Sequence, residues 1–145
     1  MSGESTSPRF VDVPMPFRVS RSFSVDQYHR SHRQLLLRAS PIVDGGERID
    51  VLFRGVAAMQ LPIHLPSLCV RVATEKEVRR ELGDFEHVLQ EDSRFVPFVV
   101  CEELPLGFVI AYLALTVTNN LLSPMSTLLY EYEATPAPEV IGHLV

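Results

Sequence analysis

Apolar and charged residues alternate along residues 48–54, which read Arg-Ile-Asp-Val-Leu-Phe-Arg. An alternation with a period of two is typical of a β-strand that has one buried face. The core face would carry Ile49, Val51 and Phe53. The opposite face, which we expect to meet solvent, would carry Arg48, Asp50 and Arg54.

A second apolar run, Gln-Leu-Leu-Leu-Arg at residues 34–38, precedes this strand. The sequence Asp-Gly-Gly-Glu at residues 44–47 separates the two runs and has the composition of a hairpin loop. Strands joined by short turns pair antiparallel. The sequence therefore predicts antiparallel β-structure over residues 33–61.

The longest apolar run covers residues 104–117 and is interrupted by Pro105 and Gly107. It is shorter than the roughly 20 residues that a membrane-spanning helix requires. Several of its residues are β-branched and favour a strand. We predict a buried central strand that bends near Ala111, with a buried helix as the alternative.

The remaining pattern predicts further strands and one helical insertion. Further strands are expected at residues 17–23, 57–61, 68–72, 95–101 and 128–132. Residues 25–33 are interpreted as a turn or short helical segment. Thr74 and Glu77 form a capping-box pattern, which predicts a helix over residues 75–82 that ends at a left-handed Gly83. A second helical turn would follow over residues 84–90.

These elements predict an α+β fold that is mainly antiparallel β, with about six or seven strands and one short helical insertion near residues 75–90. The strands would form a sandwich-like or half-barrel arrangement. Length and composition indicate one soluble domain. We expect a disordered or loosely docked arm at residues 1–16, a globular domain at 17–133 and a C-terminal tail at 134–145.

Charge is distributed unevenly along the chain, whose net charge is −5. Residues 1–40 hold six Arg against three acids, whereas residues 81–145 hold one Arg against ten acids. The basic part is too sparse for a nucleic-acid footprint. The N-terminus lacks the basic start and apolar run of a signal peptide. We therefore expect a cytoplasmic protein without a nucleic-acid or membrane partner.

The basic residues are almost all Arg, since Lys76 is the one lysine. This bias is typical of a GC-rich bacterial genome and carries no chemical meaning of its own, because exposed Arg and Lys serve solubility about equally.

The two cysteines and the paired carboxylates do not define a catalytic site. Cys69 and Cys101 stand in apolar sequence that predicts small buried core residues with unreactive thiols. The carboxylate pairs at residues 102–103 and at 131 and 133 fit a solvated strand edge better than a catalytic pair facing across a cleft. We predict no catalytic residue and no cofactor.

His29 and His32 are the one histidine pair with a spacing suited to a metal. On a helix they would share a face, but on a strand they would point to opposite sides. Asp26 is the one further ligand type near them. We interpret the pair as surface or partly packed histidines and predict no metal site.

The best-defined polar residues surround the predicted hairpin. Charged residues beside an aromatic ring suit protein recognition. The candidate interaction surface consists of Tyr28, His32, Arg33, Arg38, Arg48, Asp50 and Arg54. An ordinary solvated sheet face is the alternative interpretation.

Three segments carry a resemblance to a known kind of protein. They read His-Arg-Gln-Leu-Leu-Leu-Arg at residues 32–38, Arg-Ile-Asp-Val-Leu-Phe-Arg-Gly-Val at 48–56 and Met-Gln-Leu-Pro at 59–62. Over these segments the chain resembles small uncharacterised bacterial, actinobacterial-like proteins of the immunity-protein kind. The resemblance implies a compact cytoplasmic α+β domain that binds a partner and lacks catalytic activity.

We therefore expect a non-enzymatic protein-binding domain of an immunity-like or regulatory kind. One alternative is a small enzyme or ligand-binding β-domain whose site the sequence does not reveal. The other alternative is a structural subunit of a homo-oligomer.

Overall fold

The computed structural model of the chain describes residues 9–39, 47–103, 105–119 and 140–145. Within these residues the chain forms twelve strands in two largely antiparallel sheets, two short α-helices and one 3-10 turn. The predicted α+β class, mainly antiparallel with one helical insertion, is confirmed. The strands outnumber the prediction because several are only two or three residues long.

The larger sheet has seven strands. In spatial order they are β1 (Arg9–Val13), β12 (Val140–Leu144), β11 (Leu113–Asn119), β5 (Arg48–Arg54), β4 (Gln34–Ala39), β3 (Phe23–His29) and β7 (His64–Leu65). Neighbours are antiparallel except β1 and β12, which run parallel. The predicted antiparallel pairing of β4 with β5 is confirmed, and it places Arg38 opposite Asp50.

The smaller sheet has five strands. In spatial order they are β2 (Phe17–Val19), β8 (Leu68–Val72), β9 (Val96–Cys101), β10 (Gly107–Ala111) and β6 (Ala58–Gln60). The strands predicted within residues 17–23, 57–61, 68–72 and 95–101 are therefore confirmed. The strand predicted at 128–132 lies outside the described residues.

The two sheets pack face to face around the main hydrophobic core. The larger sheet contributes Leu35, Leu37, Val51 and Phe53, and the smaller sheet contributes Val70, Phe98, Val100 and Val109. The rings of Phe53 and Phe98 meet edge to face, with 5.5 Å between their centroids. The core positions predicted for Val51 and Phe53 are confirmed, and Ile49 packs at the margin of the same cluster.

Two short helices, α1 (Glu75–Glu81) and α2 (Glu86–Glu91), cover the outer face of the smaller sheet. Leu82 lies between them and is buried against Phe108 of β10. The capping box is confirmed, since the amides of Glu77 and Thr74 each donate to the side chain of the other residue. Gly83 begins a 3-10 turn without a positive φ, so the left-handed cap predicted there is wrong.

The apolar run beyond Gly107 forms two strands that belong to different sheets. Tyr112 alone separates β10 from β11. Its amide donates to the Arg54 carbonyl at 2.9 Å, its hydroxyl donates to Asp92 Oδ2 at 2.9 Å, and its ring stacks on Phe95. Buried β-structure with a bend near Ala111 is confirmed, whereas the prediction of one strand is wrong, since Tyr112 divides it into two; the helical alternative is also wrong. The bend is the point where the chain crosses from one sheet to the other.

The predicted arm and tail both contain strands of the larger sheet. β1 falls within residues 1–16, β12 falls within residues 134–145, and the two pair with each other from Arg9 opposite Val140 onward. The expectation of loosely attached ends is wrong for these strands, because a paired strand satisfies its backbone groups in the sheet. Residues 1–8 and 134–139 lie outside the described residues. Residues 25–33 also differ from prediction, since β3 extends through His29.

The charged face of β5 is buried. Arg48 and Asp50 are 1% and 0% exposed, and Arg38 of β4 lies beside them. Leu52 of the same face belongs to a second apolar cluster, with Leu36, Leu115, Val117 and Ile141. The expectation that Arg48 and Asp50 meet solvent is wrong, because β5 lies in the middle of the sheet and is buried on both faces.

Candidate interaction surface

Residues 56–65 lie along one side of the space between the two sheets. The Val56 amide donates to the Arg33 carbonyl at 3.0 Å, and the Ile63 carbonyl accepts from the Val25 amide at 2.9 Å. Between these points β6 pairs with β10 of the smaller sheet, and β7 pairs with β3 of the larger sheet. The 56–65 segment therefore joins the edge of one sheet to the edge of the other.

Gly55 turns the chain from β5 into this segment. Its φ is +70°, a left-handed conformation that glycine adopts without steric cost. A Cβ atom at this position would fall on the Tyr112 ring. Both the φ and the surroundings of Gly55 therefore require glycine at this bend.

Three large apolar side chains are exposed on this side of the molecule. Ile63 is 69% exposed, Tyr28 is 42% exposed and Met59 is 36% exposed. Tyr28 stands opposite Leu35 in its sheet, and Met59 stands opposite Val109 in the other. Opposed residues of paired strands point to the same face. Since Leu35 and Val109 both belong to the main core, Tyr28 and Met59 both face the space between the sheets.

Ile63 lies on the segment that runs between these two edge strands. The Ile63 carbonyl bonds to Val25 of β3, three residues before Tyr28, so the three residues lie along one opening of the sandwich. We call Tyr28, Met59 and Ile63 the edge surface.

A pocket of about 320 Å³ adjoins the 56–65 segment. It is lined by residues 60–62, by Cys101 and Glu103, and by residues 105–107. Leu106 is buried and Leu61 packs against the main core, so the interior of the pocket is apolar. Glu103 is exposed, and among the described residues it has no ion pair or side-chain hydrogen bond. We call this cavity the Glu103 pocket.

A second pocket, of about 290 Å³, shares Cys101 and Glu103 with the first and extends to Arg18. Glu102 lies on its lining and is paired on both sides: it accepts from Arg18 Nη1 at 2.6 Å and from Arg71 Nε at 2.9 Å. These two guanidinium groups hold the pKa of the Glu102 carboxyl below its usual range. Glu102 is therefore a bonded carboxylate, and it lies beside Glu103, for which the described residues provide no such bond.

Arg71 continues this network to helix α1. Its Nη1 and Nη2 donate to the two carboxylate oxygens of Glu77 at 2.6 and 2.8 Å. The Arg71 guanidinium, followed by the Thr74 amide, lowers the pKa of Glu77 to about 2. The same bonds raise the pKa of Arg71. The network thus fastens α1 to the sheet through charge-assisted hydrogen bonds.

Both thiols are free, and they differ in exposure. Cys69 is buried, as predicted, whereas Cys101 is half-buried. Burial, and next the neighbouring Glu102 carboxylate, raise the pKa of the Cys69 thiol. A thiol in such surroundings stays protonated and is a poor nucleophile.

The residues predicted as an interaction surface separate into two groups. Arg38, Arg48 and Asp50 are buried and form an ion cluster, so they cannot meet a partner as placed. Tyr28, His32 and Arg33 are exposed around the turn that follows β3, and Arg54 is half-buried. Tyr28 is the member that the structure places on the edge surface.

The histidine pair His29 and His32 lies at that turn, with 6.0 Å between ring centroids. Among the described residues no group of three His, Cys, Asp or Glu side chains is arranged to hold a metal ion.

Sequence reasoning missed Met59, Ile63 and Glu103. Met59 stands on a strand of three residues and Ile63 stands just before one of two residues, so neither lies in a run long enough for a periodic pattern. Glu103 was recognised only as part of an acidic pair. A usable signal was the isolated apolar residue Ile63 directly after Pro62, since proline often marks an irregular edge position.

The fold and this surface together define an α+β protein of two packed sheets with an apolar opening at one side. Comparison of the chain with protein-family models found no match, and comparisons with curated proteins and with solved structures found none either. Of the helices in the described ranges, none has the length and apolar character needed to span a membrane.

Proposed function

We propose that the chain is a non-enzymatic protein-binding domain, of a regulatory or immunity-like kind, that binds its partner through the edge surface. The observation that carries this proposal is the convergence of Tyr28, Met59 and Ile63, from two sheets and their connecting segment, on one opening. Aromatic residues and Met are enriched at the centres of protein interfaces.

The surroundings of the edge surface suit a polypeptide partner. β6 is an edge strand of the smaller sheet, and β7 pairs with only the first part of β3. Unpaired strand edges offer backbone donors and acceptors that another chain can use. His32 and Arg33 lie exposed on one side of the surface, and Glu103 lies exposed on the other. An apolar centre with a polar rim is the usual anatomy of an interface.

The charged groups in and beside the second pocket support binding more than catalysis. Four charged side chains form a continuous network of ion pairs that connects β2, β8, β9 and α1. They are Arg18, Glu102, Arg71 and Glu77. The Cys69 thiol is protonated in its buried position. A catalytic group would need freedom to exchange a proton or attack a substrate.

The test is capture of a partner by the full chain and by matched variants. Ile63→Asp and Met59→Asp place a charge on the edge surface, whereas Val72→Asp places one on an exposed valine of β8, three strands from β6. Each immobilised variant is exposed to the source-cell lysate and, separately, to the product of the neighbouring gene.

We expect one defined protein to be retained by the wild type and by Val72→Asp, and to be lost at least about ten-fold by the two edge variants. Circular dichroism and thermal unfolding confirm that each variant is folded. Equal retention by all four proteins, or no retention by the wild type, contradicts the proposal. A mass that rises with concentration and falls in Ile63→Asp would identify the partner as a second copy of the chain.

A further inference from the structure

The Glu103 pocket combines an apolar interior with one free carboxylate at its rim. Leu61 and Leu106 form the interior, and Glu103 stands at its mouth without an ion pair among the described residues. An apolar cavity by itself would bind any apolar group of suitable size. The carboxylate adds a requirement for positive charge at a fixed end of the cavity.

We propose that this pocket binds a long basic side chain, arginine or lysine, from the partner segment that occupies the edge surface. The inference rests on the proposed function and names the chemistry of the partner. Arg and Lys bury an aliphatic stem along apolar surface while their charged end stays at the rim. In this pocket the stem lies along Leu61 and Leu106, and the cation reaches Glu103.

The size and position of the pocket fit one side chain of an extended segment. Its volume of about 320 Å³ stands at the small end of ligand pockets, which span about 300–1,000 Å³. Residues 60–62 line it and directly precede Ile63 of the edge surface. A chain that contacts Met59 and Ile63 therefore passes the mouth of the pocket.

The local charge favours a cation over an anion. Among the described residues that line the pocket, Glu103 is the one charged side chain. The adjacent Glu102 is neutralised by Arg18 and Arg71, so it neither repels nor holds an incoming group strongly. In the described part of the lining, an incoming side chain therefore meets the Glu103 carboxylate as its charged contact. Complementary charge of this kind selects the partner more than it adds to affinity.

The proposal is tested by titrating the full ¹⁵N-labelled chain with four small probes and recording amide NMR spectra. The probes are the N-acetyl methylamides of arginine, lysine, norleucine and glutamate. Norleucine keeps the straight apolar stem without the charge, and glutamate reverses the charge. The reporting amides are those of Leu61, Leu106 and Gly107, which line the pocket.

We expect the arginine and lysine probes to shift these amides at lower concentration than norleucine, and glutamate to shift them least. Glu103→Gln should weaken binding of the two basic probes by about 1.5- to 5-fold and leave norleucine unchanged, as for a solvent-exposed ion pair. Glu91→Gln, which removes an exposed carboxylate on α2, is the matched control and should change nothing.

Three results would overturn the proposal: no shift at the reporting amides, equal affinity for basic and norleucine probes, or unchanged affinity in Glu103→Gln. These outcomes are separable from failure of the proposed function. If Ile63→Asp loses the captured partner but Glu103→Gln binds the basic probes as well as the wild type does, partner binding at the edge surface is supported and the basic side chain in the pocket is contradicted. If the probes behave as expected but the edge variants still retain the partner, the proposal that the partner binds at the edge surface is contradicted.

Discussion

Arg38 Nε donates to Asp50 Oδ1 at 2.8 Å across the paired strands β4 and β5. Asp50 is fully buried and Arg38 is 7% exposed. Arg48, on the same strand as Asp50, brings its Nη2 to 3.3 Å from Asp50 Oδ2. Burial lowers the pKa of Arg48, and the Asp50 carboxylate opposes that effect. The Asp50 carboxylate therefore contacts two buried guanidinium groups.

We expect Asp50→Asn to lower the free energy of unfolding by about 3–5 kcal/mol, because it removes a fully buried negative charge that contacts two buried guanidinium groups. Asp26→Asn is the matched control, since Asp26 contacts Arg38 at 3.6 Å from a more exposed position. Its effect should stay below about 1 kcal/mol. Urea unfolding followed by circular dichroism measures both, and equal losses would contradict the central role of Asp50.

Gly55→Ala should destabilise the protein by about 1–3 kcal/mol, because alanine resists a φ of +70°. The added Cβ also displaces the Tyr112 ring, which holds the junction between the sheets. Gly83→Ala is the control: it has open space around it and no positive φ, so it should be neutral or stabilise by up to about 1 kcal/mol. A thermal melt of both variants decides the matter, and similar midpoints would refute the steric argument.

The bond between Arg71 and Glu77 should make stability depend on acid pH. The pKa of Glu77 is lowered from 4.5 to about 2 in the folded chain. Its stabilising contribution is therefore complete above about pH 4.5 and is lost as the pH falls toward 2. Compared with wild type, Glu77→Gln should cost about 1–3 kcal/mol at neutral pH and progressively less in acid.

Denaturant unfolding at several pH values tests this expectation for Glu77. Glutamine keeps the capping-box pattern, so the difference reports the charge. Glu75→Gln, at a nearly fully exposed position of the same helix, serves as the control and should show no such trend. A difference between wild type and Glu77→Gln that stays constant from pH 7 to pH 2 would contradict the prediction.

The two cysteines should react with a thiol reagent at different rates. Cys69 is buried and its pKa is raised by burial, whereas Cys101 is half-buried and lines both pockets. We expect Cys101 to react about ten-fold faster in the folded protein. Labelling with 5,5′-dithiobis(2-nitrobenzoic acid) should therefore keep its fast phase in Cys69→Ser and lose it in Cys101→Ser. The reverse pattern would show that the assignment is wrong.

Local patterns identified most of the strands, and the reason is physical. The alternation in β5 and the capping box at Thr74 both depend on neighbours a few residues away. The position of a strand within its sheet depends on distant segments. The alternation in β5 therefore predicted that its charged side chains would be exposed to solvent. In the structure β5 lies between β4 and β11, and both of its faces are buried.

The candidate site was harder to predict, because it forms where two sheet edges meet. Tyr28 was identified for its place near charged residues, and it belongs to the surface for another reason, its pairing opposite Leu35. Met59 stands on a strand of three residues and Ile63 just before one of two, and such short strands show no period. Glu103 can be distinguished from Glu102 only in the structure, where Glu102 is bonded to Arg18 and Arg71.

The parallel pair of β1 and β12 has a consequence for synthesis on the ribosome. Most of the chain lies between Arg9 and Val140, which stand opposite each other in this pair. During translation β1 is synthesised before β12, so it cannot form its backbone hydrogen bonds to β12 until that strand has been made. Contacts between such distant segments form slowly, so we expect the larger sheet to close only after β12 has left the exit tunnel. Until then the nascent chain exposes an uncovered strand, which is a natural target for chaperones.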